Sequence, residues 1–96
     1  MINEIAFIVV KEGAGPTFEA AVTKAKPLFL GAKGCHGMQL FRCIERPLEY
    51  TLVVDWETIE HHMVDFRESE AFKQWRSLIG DSVAQAPQVQ HVQQLV

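Results

Sequence analysis

The chain has 96 residues, a mass of 10.9 kDa and a formal charge of −3. A composition of 48% hydrophobic and 22% charged residues is that of a folded globule and excludes a disordered or collagen-like chain. Nine Lys/Arg against twelve Asp/Glu, with no basic block, exclude the electrostatic footprint of nucleic-acid binding and of polybasic membrane docking.

The length fits one domain spanning residues 1–96. Met1-Ile2-Asn3-Glu4 lacks the basic region of a signal peptide, and the longest apolar run, Ile5–Val10, is far short of the ~20 residues of a membrane helix. The expected location is the cytosol. Asn3–Val10 is apolar on both faces and predicts a buried strand. Gly13-Ala14-Gly15-Pro16 breaks it, and Pro16 suits the first turn of a helix. Phe18, Ala21, Val22, Ala25, Leu28 and Phe29 then recur at helical spacing, with Pro27 expected to kink that helix or end it early.

A second strand is predicted at about Met38–Ile44 and a third at Tyr50–Trp56. A two-residue turn at Arg46-Pro47 would pair them as a hairpin, with Phe41 and Cys43 on the face of Tyr50, Leu52, Val54 and Trp56. Cys35 and Cys43 lie too far apart along an extended run to form a disulfide, and two isolated cysteines match no zinc spacing. Thr58 is placed to cap a helix whose stripe is Ile59, His62, Met63 and Phe66. Ser69 opens a further turn or a new helix carrying Ala71, Phe72, Trp75, Leu78, Ile79 and Val83, and Gly80 should fray or end it. Gln88–Val96 reads as a last, edge strand.

The order β-α-β-β-α-β is the ferredoxin-like α+β plan: a four-stranded antiparallel sheet with both helices on one face. Ile5, Phe7 and Val9 alternate with Ala6, Ile8 and Val10, so the second face also needs cover. A second copy of the same sheet supplies it, which predicts a homodimer through sheet faces.

The run Tyr50-Thr-Leu-Val-Val-Asp-Trp56-Glu-Thr-Ile, the His62, Phe66, Phe72 and Trp75 helices, the Gly13/Gly15 turn and the Gly34-Cys-His-Gly37 lead-in to the second strand together resemble the antibiotic biosynthesis monooxygenase domain family. That resemblance covers nearly the whole chain. It implies a dimeric α/β barrel, and chemistry ranging from cofactor-free oxygenation of polyphenols through haem degradation to isomerisation of small metabolites. The haem-degrading members carry Asn, Trp and His where this chain has Ile5, Phe66 and Arg76, which argues against that activity. Leu52 stands where the anthrone-type oxygenases carry Asn, and Asp65 and Glu70 where many members carry His.

His62 falls on the inward stripe, where an imidazole can act as general base; the alternative is a histidine bonded to a backbone carbonyl. His61 diverges from it by ~100° and reads as surface. Trp56 is assigned as a hydrogen-bond donor and wall, and Tyr50 as a second donor at the far end of the same strand. Phe66, Phe72 and Trp75 are assigned as walls for a planar ring, the alternative being plain core. Arg67 is placed to hold an anionic oxygen, or else to pair with Asp65, Glu68 or Glu70. Neither a phosphate loop, nor a dinucleotide fingerprint, nor a metal-ligand spacing occurs, so no metal and no cofactor are expected. The functional expectation is a cofactor-independent monooxygenase for a small phenolic or quinol-like compound. A non-oxidative isomerase and a non-catalytic ligand-binding dimer are its alternatives.

Overall fold

The computed structural model describes residues 1–96. The elements are β1 (Ile2–Val9), α1 (Gly15–Leu30), β2 (Cys35–Arg42), β3 (Glu49–Trp56), a π-helix (His61–Phe66), α2 (Glu70–Ile79) and β4 (Gln88–Val92). The strands form one antiparallel sheet in the order β2-β3-β1-β4, the ferredoxin-like arrangement. No helix is long and apolar enough to cross a membrane.

Period-two alternation puts Ala6, Ile8, Tyr50, Leu52, Val54 and Trp56 beneath the helices, where all are buried. Phe18, Val22, Ala25 and Phe29 descend from α1 onto this face, and Trp75 and Ile79 from α2. The aromatic rings of Phe29 and Trp75 meet edge-on at 5.0 Å and lock the two helices together. Ser69 caps α2 by accepting a hydrogen bond from the backbone N–H of Phe72, and the helix ends at Gly80.

Three expectations shift. Pro27 does not stop α1, which continues to Leu30: proline removes one donor in the final turn, and Gly31 N–H still closes that turn onto the Pro27 carbonyl. β4 ends at Val92, not at Val96. The hairpin register differs by one residue from a two-residue turn: Leu40 lies opposite Leu52 and Arg42 opposite Tyr50. Met38 and Leu40 therefore face the helices, while Phe41 turns to the opposite face and is 55% exposed. The connection is wider than Arg46-Pro47 alone, with the Cys43 N–H bonded to the Glu49 carbonyl. A one-residue change in loop closure reverses every side chain of β2. Cys35 and Cys43 are both free thiols.

Candidate active site

Glu4 is in phase with Ala6 and Ile8, so the alternation that buries those residues also carries a carboxylate under the helices. It is only 4% exposed. Burial of a charge demands a partner, and two arrive from different elements. Trp56, at the end of β3, donates its indole Nε1–H to Glu4 Oε1 at 3.0 Å. His62, from the π-helix, sets Nε2 at 3.2 Å from the same oxygen. The imidazole stacks on the Trp56 indole, with centroids 5.4 Å apart and planes 17° from parallel. Its other nitrogen, Nδ1, lies 2.9 Å from Nε2 of His91 on β4. His91 reaches it because β4 pairs with β1 so that His91 stands opposite Glu4.

The π-helix is what turns His62 inward. Thr58 caps this segment by accepting from the His61 N–H, and the Arg67 N–H bonds back five residues to the His62 carbonyl. The widened turn keeps His62 and Phe66 buried while Ile59 and Met63 face outward, so half of the α-type stripe read from the sequence lies at the surface. His61 is half-buried rather than on the surface, its ring against Gly34.

Burial pushes the Glu4 carboxyl up to about 7, against the opposing pull of the Trp56 hydrogen bond and of Arg67. Burial, with His91 and Arg67 nearby, pushes the His62 imidazole down to about 4. Burial and Arg67 also lower His91. Both rings are thus neutral at pH 7, and the carboxyl sits at the midpoint of its titration.

Glu4 and His62 close one end of a cavity of about 480 Å³ between the sheet and α2. Its walls include Leu52, Ile79 and Val89, with Phe72 and Trp75 supplying aromatic surface. Glu4 Oε2 makes no hydrogen bond to the protein and is not sealed from the cavity, so it is the polar atom presented there. Arg67 and Arg76 also line the cavity, their guanidinium groups 6.0 and 5.9 Å from the Phe72 ring centre. Neither forms an ion pair; Asp65 and Glu68 leave Arg67 free, and Glu70 pairs with Lys73. A larger hollow of about 740 Å³ between α1 and β2 is an open groove, and the acidic, basic and aromatic groups of the buried cluster are absent from it.

Residues 1–78 match the family described as antibiotic biosynthesis monooxygenase. The chain belongs to this family. The uncharacterized protein YczJ of Bacillus subtilis (strain 168) is 37% identical over 93 residues, covering 97% of this chain and 98% of that protein. A crystal structure of a Bordetella bronchiseptica protein carrying the same family name is 55% identical, with a TM-score of 0.98 over 99% of this chain and 97% of its own. A Nitrosomonas europaea structure of that family name shares the fold at 17% identity, with a TM-score of 0.84 and full coverage of both chains.

Within this family member, the fold brings His62, Trp56, Phe72, Trp75 and Arg67 around one buried cluster and its cavity. Trp56 is wholly buried and its donor is committed to Glu4, so it holds the carboxyl instead of facing a ligand. Phe66 packs behind the cluster, against Trp56, Phe29 and Phe72. Tyr50 lies apart, at the opposite end of β3 in the open groove, donating its hydroxyl to Glu19 Oε2 at 2.6 Å. Arg42 binds the same oxygen. The sequence reading of site residues passes over Glu4 and His91. Their signal is one of phase: a carboxylate in step with Ala6 and Ile8, and a histidine in step with Val89.

Proposed function

We propose that this protein is a cofactor-independent monooxygenase for a small phenolic or quinol-like aromatic compound, acting in the cytosol as a homodimer through outer sheet faces. The observation that carries this reading is the Glu4 carboxyl: titrating near neutrality, oriented by Trp56 and His62, and presenting one free oxygen to a cavity of ring size. A base poised near the working pH transfers protons most effectively. His62 has both ring nitrogens occupied, which favours Glu4 over the histidine as the group that meets the substrate.

In this chemistry Glu4 removes the phenolic proton, and the electron-rich anion reduces O₂ directly. Arg67 steadies the phenolate oxygen, and Phe72 and Trp75 hold the ring and exclude water. One atom of O₂ bonds to the ring carbon para to the phenolate and becomes the second quinone carbonyl. The other leaves as water with the two hydrogens the substrate gives up. The ring supplies all four electrons, so no external reductant enters.

The outer sheet face supports the dimer. It leaves Phe7 45%, Phe41 55% and Val92 42% exposed, an apolar surface that a second copy would cover.

An oxygen electrode with para-unsubstituted phenols, anthrone and 1-hydroxynaphthalene tests the reading. O₂ consumption matched by quinone formation is expected, and Glu4→Gln should lower kcat by about 10²–10⁴-fold. Turnover that persists under nitrogen would replace the oxygenase with a proton-shuffling isomerase. Binding of these rings without any turnover would leave a ligand-binding dimer.

A further inference from the structure

The cluster does not end at the base. We propose that Glu4, His62 and His91 form a proton conduit from the cavity to solvent, with His91 as its outer terminus; this rests on the reading of Glu4 as the group that meets the substrate. The three side chains come from β1, the π-helix and β4, and their polar atoms follow one another at hydrogen-bond distance. Glu4 Oε1 is 3.2 Å from His62 Nε2, and His62 Nδ1 is 2.9 Å from His91 Nε2. They face one another in sequence instead of converging, and they form no metal-ligand group. The inner end opens to the cavity through Glu4 Oε2. The outer end opens to water: His91 is half-buried on an edge strand, and its Nδ1 has no partner in the protein. Arg67 is the one further charged group near all three.

A water-poor cavity has to hand the substrate's proton out when the phenolate forms, and take one back when the second oxygen leaves as water, without admitting solvent. The chain does so by changing tautomers. With Glu4 protonated on Oε1, that hydroxyl donates to His62 Nε2, and His62 Nδ1–H donates to His91 Nε2. A proton arriving on Oε2 from the substrate is matched by transfer of the Oε1 proton to His62 Nε2. His62 passes its Nδ1 proton to His91 Nε2, and His91 releases its Nδ1 proton to water. One proton enters and one leaves, and both rings end neutral with their protons on Nε2; the same steps in reverse deliver a proton from Glu4 Oε2 to the departing oxygen and restore the starting tautomers. Burial and Arg67 disfavour the imidazolium forms, which keeps both rings in the neutral state that can exchange tautomers.

The test needs no substrate. Ring ¹⁵N NMR of His62 and His91, with the Glu4 carboxyl ¹³C shift, is followed from about pH 5 to 9. Expected is one shared midpoint, near the Glu4 value of about 7, at which both rings swap Nδ1–H for Nε2–H without becoming imidazolium. Glu4→Gln, which cannot titrate, should hold both rings in one tautomer across the range. A His62 or His91 tautomer that stays fixed in the wild type overturns the proposal, as does a swap that persists in Glu4→Gln. The wild-type titration decides even where a variant folds poorly. O₂ consumption with a fixed His62 tautomer removes the conduit alone; a coupled swap without O₂ chemistry removes the oxygenase alone.

Discussion

His62 Nε2 lies 3.2 Å from Glu4 Oε1, and burial drives the two groups in opposite directions, the carboxyl up to about 7 and the imidazole down to about 4. The folded state therefore binds more protons than the unfolded chain at Glu4 between about 4.5 and 7, and fewer at His62 between about 4 and 6.5. Stability from Glu4 is complete below the lower limit and is lost as pH rises towards 7. Stability from His62 is complete above 6.5 and is lost as pH falls towards 4. The two slopes offset, so the pair leaves wild-type stability nearly flat across this range. Each single variant should unmask the other slope in urea titrations. Glu4→Gln becomes less stable on acidification from pH 6.5 to 4, and His62→Gln more stable on acidification from pH 7 to 4.5, each by up to about 3 kcal/mol.

Trp56→Phe removes the only indole donor to Glu4 and trims a fully buried ring. Loss of a hydrogen bond to an ionisable group together with the cavity should cost about 2–4 kcal/mol in denaturant melts. Because that bond holds the carboxyl down, the Glu4 midpoint should move above its wild-type position when followed by carboxyl ¹³C NMR.

Phe7 stands on the central strand β1, on the face turned away from the helices. A lysine there places charge in the middle of the surface assigned to the second copy. Sedimentation at micromolar concentration should give a dimer for the wild type and a folded monomer for Phe7→Lys, with an unchanged circular dichroism spectrum. A monomeric wild type would remove the dimer.

Gly34 has φ +80°, and a Cβ there would come within 2.4 Å of His61 Cγ. Gly34→Ala is both strained in its backbone and blocked by a ring. A loss of about 2 kcal/mol or more in thermal melts is expected, with Gly13→Ala milder, because Gly13 shares the positive φ but has open space around it.

The element order, the shared face of Tyr50, Leu52, Val54 and Trp56 on β3 and the inward stripe of α2 were legible because apolar periodicity reports burial, and burial decides the layers; β1, apolar on both faces, did not declare which face lies inward. Thr58 was legible as a cap because a hydroxyl three residues before an unpaired N–H has one obvious use, and Ser69, read as the start of a turn or helix, caps α2 in the same way. The face of Phe41 was not, since it depends on the number of residues closing a loop and not on any pattern within the strand. Glu4 escaped notice for a related reason. An acidic residue near a chain end reads as solvated until the strands that flank it are known, and those strands bring Trp56 and His91 from distant parts of the sequence. The outward turn of Ile59 and Met63 follows from the five-residue hydrogen bond, which an α-helical wheel cannot represent.

β3 carries an aromatic donor at each extremity of one face, Tyr50 committed to Glu19 and Trp56 to Glu4. Hydrophobic alternation alone would tolerate a slip of this strand by two residues, since every inward side chain would still point inward. Such a slip would carry the Trp56 indole away from the buried Glu4 and the Tyr50 hydroxyl away from Glu19. The pair of glutamates thus works as a vernier, rejecting the misaligned sheets that greasy contacts would accept.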